Sequence, residues 1–424
     1  MNNISKGLSC AVAGLLGTSS VALPEDATGS WNLKSSFLIY NESGRVSATE
    51  ASVSANKEID TNETLALKLT IDSLTGASAS GAVSANQAQT FTRPSGEGSY
   101  TTGANQTPLD NTFRDTRVDL SVDWVKPIKN DLKLKLGSNI STEYDYQSFS
   151  INTGIERSFN SNNSTLSVGT SFAKDSIKPV GGVPIVFSNM EETEVNTNRE
   201  SSGAKTKNTS DLLVSLTQII DKNSLFQLNY SSSRSSGYHT DPYKVISVVD
   251  AVTGEITLNG NISNVVYENR PENRSMDSIF FKYKRNLTGN NVLDTSYRYL
   301  WDDWGITSHT VDTHYKFRLS ENSFLEPHIR YYSQSSADLY TPYFTNNNVP
   351  TSATVYASSD YRLGSLDTFT IGLTYGKDNV DNPWSTGLEY YKQIPANVAT
   401  FGALNNQNLN PDVSAVILKL NYDF

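Results

Sequence analysis

The sequence predicts an all-β fold: an up-and-down, antiparallel transmembrane barrel of about sixteen strands, with short turns at one end and long loops at the other. Three observations carry this reading. Apolar and polar residues alternate with a strand's two-residue period, as Leu65, Leu67, Leu69 and Ile71 do against Ala66, Lys68, Thr70 and Asp72. Charge at every second position of a membrane strand is tolerable only where that face is wet, since a lipid-facing charge costs ~2–4 kcal/mol at mid-bilayer. The chain also holds 22 Tyr and 16 Phe against 3 Met, which suits two interfacial aromatic girdles. A helical membrane protein would need apolar runs of about twenty residues, and past the N-terminus none comes close. The mean hydropathy is −0.42.

Taken in order, the first 22 residues read as an export leader. Lys6 precedes an apolar run from Leu8 to Leu16, and Ser20-Val21-Ala22 has the small-x-small pattern of a cleavage site after Ala22. Cys10, the single cysteine, falls inside this leader; lipidation there would want a large apolar residue where Gly7 stands. Residues 23–424 then form one barrel domain without thiols, which excludes disulfides, iron–sulfur clusters and thiol catalysis. No cofactor is expected. A net charge of −10 with no basic stripe speaks against nucleic acid as a partner.

Alternating runs begin near 31, 46, 63, 113, 131, 148, 164, 209, 224, 276, 291, 306, 323, 362, 385 and 413. The second and fifteenth are the weakest, and without them the count is fourteen; bacterial barrels of this kind have even numbers. Asn, Asp, Lys, Gly and Ser cluster at 127–131, 160–164, 221–224, 287–291, 320–323 and 376–382, where hairpin turns are expected. Long connections at about 74–112, 175–208, 237–274, 337–361 and 393–411 are expected at the extracellular end, the one at Glu191-Glu-Thr-Glu194 being acidic and mobile.

The chain closes on Val413-Ser-Ala-Val-Ile-Leu-Lys-Leu-Asn-Tyr-Asp-Phe424, with Leu418, Leu420, Tyr422 and Phe424 on one face. This resembles the terminal signal by which barrel-insertion machinery recognises Gram-negative outer-membrane barrels. Asp72-Ser-Leu-Thr-Gly-Ala-Ser78, Gln89-Thr-Phe-Thr-Arg-Pro-Ser-Gly96 and 107–117 carry a wider resemblance, as do 225–230, 237–243, 267–271 and 297–309. Together they resemble a family of outer-membrane barrels catalogued only as proteins of unknown function. The resemblance spans nearly the whole mature chain. It implies a barrel in the Gram-negative outer membrane, in contact with lipid and lipopolysaccharide, and it carries over no catalytic or binding residue.

Several constellations are candidates for chemistry. Asp302, Asp303 and His309 lie at a tight outer turn between two strong strands, as the Asp and His of omptin-type barrel-mouth proteases do; the plain alternative is interfacial Trp301 and Trp304 with solvated aspartates. His239 and Asp241 form a second such pair, which Asp-Pro turn chemistry accounts for. Asp312, His314, Lys316, Arg318, Glu326, His328 and Arg330 share lumen-facing parity on adjacent strands. Facing His and carboxylate groups can hold a divalent metal, but a hydrogen-bonded ladder is the expectation here and no metal site is assigned. Arg93, Arg114 and Arg117 are candidates for a pore constriction favouring anionic solutes, if the first long loop folds inward.

The expected function is therefore a porin-like channel for small hydrophilic solutes, since a sixteen-stranded barrel has room for an aqueous lumen. One alternative is a scaffold plugged by, or holding, a partner protein, as in envelope assembly or an electron conduit; without a haem-binding Cys-x-x-Cys-His motif any haem would come from that partner. The other is the barrel-mouth hydrolase. A homo-oligomer is compatible with all three.

Overall fold

Sixteen strands close into one antiparallel barrel in the computed structural model, which describes residues 29–92, 99–190, 198–200, 203–259 and 262–424. The expected leader lies outside these residues, as do Arg93 and the acidic stretch at 191–194. In chain order the barrel strands are β1 (Trp31–Glu42), β2 (Val46–Asp60), β3 (Glu63–Ala79), β4 (Leu109–Lys129), β5 (Leu132–Thr142), β6 (Tyr146–Phe159), β7 (Ser164–Ile177) and β8 (Lys205–Asp221). They continue as β9 (Ser224–Gly237), β10 (Asn273–Leu287), β11 (Asn291–Asp302), β12 (Thr307–Arg318), β13 (Ser323–Gln334), β14 (Leu366–Lys377), β15 (Trp384–Pro395) and β16 (Val413–Asp423). Each pairs with its sequence neighbours, and β16 returns to β1 in the register Lys34↔Asp423 to Glu42↔Ala415. Closure leaves no open edge, so every strand's backbone can be satisfied within the wall.

The two-residue period decides which face meets what. On β14 and β15, Ile371 and Leu388 are 64% and 57% exposed on the outside, while Thr370 and Glu389 are 6% and 7% exposed within. The same split recurs around the ring, with Leu120, Ile151, Val168, Val311 and Ile329 outside and Asp119, Ser150, Ser167, Asp312 and His328 inside. Outward rings gather at both rims. Trp31, Phe159, Phe317, Tyr422 and Phe424 stand at the short-turn end; Phe149, Phe172, Tyr331 and Phe369 stand toward the other.

Short-turn chemistry matches the residue types present. Asn62 and Asn160 to Asn162 adopt positive φ between 54° and 66°, the left-handed region that asparagine tolerates and that two- to four-residue hairpins demand. At the opposite end five connections are long (80–108, 178–204, 238–272, 335–365 and 396–412) and three are short.

The hydrophobic core lies in those loops. Val245–Val249, Val265–Tyr267 and Tyr343–Thr345 form a three-stranded sheet outside the barrel, with Val245–Val249 buried at every position. Phe91, Met190, Val265 and Tyr267 pack on one side of it and Phe187, Val248, Phe344 and Ala357 on another. Val83, Ile256 and Leu404 extend the cluster.

Candidate functional site

The loops form a cap because their parent strands sit around a ring. The connections after β3 and after β9 leave the wall six strands apart on a ring of sixteen, close to opposite sides. They are nevertheless bonded: Val83 N donates to Ser247 Oγ at 3.1 Å and Val245 N to the Ser80 carbonyl at 3.0 Å. The connection after β13 joins them where Ser359 Oγ donates to the Val245 carbonyl at 2.6 Å. Contacts of that span cross the mouth of the barrel.

At the centre of the cap, charged groups alternate in sign. Asp360 accepts from Arg362 Nε at 2.8 Å and from Arg270 Nη2 at 3.1 Å, and Arg270 Nε lies 2.5 Å from Glu268 Oε1. Asp241 lies 3.6 Å from Arg362, and Lys244 donates to the Ala79 carbonyl at the top of β3. Three carboxylates thus face three cations. Burial alone would raise the Asp360 carboxyl, but the Arg362 guanidinium, helped by Lys244 and Arg270, holds it well below the usual carboxylate range. Burial pushes the Lys244 ammonium down.

Beneath the cap, the inner faces of β8 to β13 line a partly open cavity of about 210 Å³. Its wall includes Asn229, Ser231, Ser278, Arg298, Thr310 and Arg330. Among the described residues no carboxylate lies within ion-pair distance of Arg298, and Arg330 is 3.8 Å from its only one, Asp312. Thr310 Oγ1 is buried without a hydrogen-bond partner. Two guanidinium groups and a row of hydroxyls suit a small anionic or polyhydroxylated guest.

All seven lumen candidates from the sequence sit on this inner wall. Lys316 and Arg318 are both tied to Asp378, with nitrogen–oxygen distances of 2.5 Å, at the short-turn end. Asp312, His314, Glu326 and His328 form one cluster that Glu389 joins from β15. Nothing in the sequence alone paired Glu389 with His328, because β14 lies between their strands. Gly372 is the register partner of both and leaves the gap through which they meet.

The other candidates are not brought together. Asp302 is buried inside against Arg274, whose Nε donates to it at 2.8 Å, and accepts from the Trp304 and Ile306 amides. His309 stands on the outer face, opposite Tyr299 in register, with Nδ1 2.7 Å from the Tyr297 hydroxyl. Pairing across a tight hairpin puts His309 on the face of Trp301, and so on the other side of the wall from Asp302. Asp303 is exposed and accepts from the Ser275 amide. This removes the arrangement the hydrolase reading needs.

His239 is held by Ser235 Oγ at 2.7 Å and the Gly237 carbonyl at 2.9 Å, edge-on to Trp304; Asp241 instead caps its own turn through the Tyr243 amide. Burial pushes the His239 imidazole down to about 4. Arg117 faces inward and pairs with Asp72 at 2.6 Å, whereas Arg114, an odd number of residues away, is exposed on the outer parity. Of the three constriction candidates, Arg93 lies outside the described residues, Arg117 faces the lumen in an ion pair and Arg114 does not share its face; Arg298 is a lumen cation with no carboxylate within ion-pair distance among the described residues.

The fold defines a β-barrel of the outer-membrane type. By its sequence the chain belongs to the family described as protein of unknown function (DUF3570), whose model matches residues 5–424. No curated protein sequence matches it. Among solved structures, a mutant of the ferric enterobactin receptor PfeA from Pseudomonas aeruginosa is similar at 11% identity and a TM-score of 0.43, covering 87% of this chain and 54% of the receptor. The siderophore receptor PirA from Acinetobacter baumannii is 9% identical with a TM-score of 0.42, over 87% of this chain and 53% of that one. CdiB from Acinetobacter baumannii is 8% identical with a TM-score of 0.47, over 93% and 60%. The chain thus spans about 54% of the length of the receptor it matches.

Proposed function

We propose that this protein is an outer-membrane channel for small hydrophilic solutes, closed at its outer mouth by the loop cap and opened by movement of that cap. The observation that carries the reading is the opposition of the two faces: an apolar outer belt encloses a wall on which Arg330 is 45% exposed to lumen water. A charge there is stable in a membrane only if the lumen is wet. Arg298, with no carboxylate beside it, favours anionic solutes. On this reading the outer belt contacts lipid and lipopolysaccharide, and the strand ending at Phe424 is the segment that insertion machinery binds.

A second reading is favoured by the cap alone. Loops joined across the mouth suit a barrel that stays shut and serves as a scaffold for a partner protein. Planar-bilayer recording separates the two. Stepwise, anion-preferring currents that grow when the cap is loosened support the channel. Silence from a heat-modifiable barrel, with and without cap substitutions, overturns it and favours the scaffold.

A further inference from the structure

We propose that Asp312, His314 and His328 form a binding site for a divalent transition-metal ion of the zinc or copper class, inside the lumen. The three donors come from two neighbouring strands. His314 and His328 are direct cross-strand partners, and Asp312 stands two residues before His314 on the same face. Cross-strand pairs bring Cβ atoms within about 5.5 Å, close enough for both imidazoles to serve one ion.

The geometry is specific. His314 Nε2 lies 3.2 Å from Asp312 Oδ1, and His328 Nε2 lies 3.2 Å from Oδ2 of the same carboxylate. Ligands about 2.0–2.1 Å from a tetrahedral metal are about 3.3 Å from one another, so each imidazole nitrogen already stands at that distance from one oxygen of the shared carboxylate. The donor atoms of the three residues all lie within 4.8 Å. The rings are stacked with centroids 4.0 Å apart and planes 9° from parallel. Both Nε2 atoms already contact the Asp312 carboxylate, so the stacked rings present their donors on one side.

The far side of each ring is also arranged as a metal site requires. Glu326 Oε1 is 3.1 Å from His314 Nδ1, and Glu389 Oε1 is 3.0 Å from His328 Nδ1. A carboxylate on Nδ1 fixes the tautomer whose Nε2 is free to bind metal and makes it more basic. Lys419, 2.8 Å from Glu389, balances part of the negative charge. Nitrogen donors and a single carboxylate select zinc or copper over calcium or magnesium, which want oxygen. Asp312 also lines the cavity beside Arg330, so water or an anionic guest from that cavity can complete the coordination. The site does not depend on the channel reading; it would serve a conducting barrel and a closed one alike.

The test is a zinc titration of refolded, tag-free, full-length barrel, followed by calorimetry, with heat-modifiability as the check of folding. The expected result is one zinc per chain. His314→Ala and His328→Ala should each lose binding by more than about a hundredfold, and Glu389→Gln should weaken it by about 10–100-fold by loosening its hold on the His328 ring. His239→Ala and His309→Ala, which remove the other two of the four histidines, should leave it unchanged. Copper loaded in place of zinc should show hyperfine coupling to two nitrogens in electron paramagnetic resonance, falling to one in either single variant. An isotherm of the His314→Ala/His328→Ala double variant that overlays the wild type, or no zinc uptake by the folded wild type, overturns the proposal.

Discussion

Replacing Asp360 with Asn should unlatch the cap while leaving the barrel closed. Asp360 is buried, with its side chain 2% exposed, between Arg362 and Arg270. At an effective dielectric constant of about 20, each unit-charge pair about 4 Å apart gains about 4 kcal/mol, most of it offset by desolvation. Removing the carboxylate's charge leaves Arg270, Arg362 and Lys244 against Glu268 and Asp241, one buried positive charge in excess. Breaking a buried pair from one side costs about 3–5 kcal/mol. The fraction of chains with an open cap should then rise by about a hundredfold to a few thousandfold, since about 1.4 kcal/mol is a factor of ten. Trypsin cleavage after Lys244 and Arg362, followed by mass spectrometry, reads the open fraction directly, and bilayer recording reads its effect on current. Cleavage and conductance both equal to wild type, in a variant that stays heat-modifiable, would show that the charge cluster does not hold the cap.

Four further outcomes are expected. With the His239 imidazole pushed down to about 4, the folded loop resists a proton that the unfolded loop accepts from about pH 6.5. The loop base should therefore weaken by about 3 kcal/mol as pH falls from above 6.5 toward 4; hydrogen exchange of residues 238–272, corrected for intrinsic rate, should show this, and His239→Gln should flatten it. Gly372→Ala would set a methyl 2.6 Å from Glu389 Cγ and push that carboxylate off His328, lowering stability to urea by about 1.5–3 kcal/mol; an unchanged midpoint argues against the contact. Ile371→Arg, on the outer belt, should destabilise the refolded barrel by ~2–4 kcal/mol in lipid, whereas Thr370→Arg next to it should insert normally. If currents are seen, Arg298→Ala should reduce anion preference without changing folding, as measured by reversal potential in a salt gradient.

Much of the barrel was legible because membrane strands obey one strong rule. Leu293, Thr295, Tyr297 and Trp301 had to share a face opposite Asp294, Ser296 and Arg298, and the sixteen runs map onto the sixteen strands. Even the weakest two, at 46 and 385, pair from end to end with one neighbour, β3 and β14 respectively. Parity also contained the answer to the mouth constellation: Asp302 and His309 differ by seven across a hairpin whose register puts them on opposite faces. The cap was less accessible. Its signal was the β-branched run Val245-Ile-Ser-Val-Val249, interrupted only by Ser247, inside a supposed solvent loop, which reads as a strand buried on both faces. Which loops it would meet depended on ring positions that only the closed barrel supplies. Glu389 was hidden for a similar reason, since its link to His328 skips a strand and exists because Gly372 has no side chain.

Placing the apolar core in the loops divides this chain into two thermodynamic units with different solvents. On the proposed membrane reading, the wall is held by backbone bonds that lipid makes expensive to break, and it has no oily interior to melt. The cap is held by ordinary aqueous hydrophobic burial around Ile246, Val248 and Tyr267, so heat, urea and pressure act on it as on a small soluble domain. Denaturation should therefore proceed in two separate transitions, and between them lies a species with an intact barrel and an uncovered mouth.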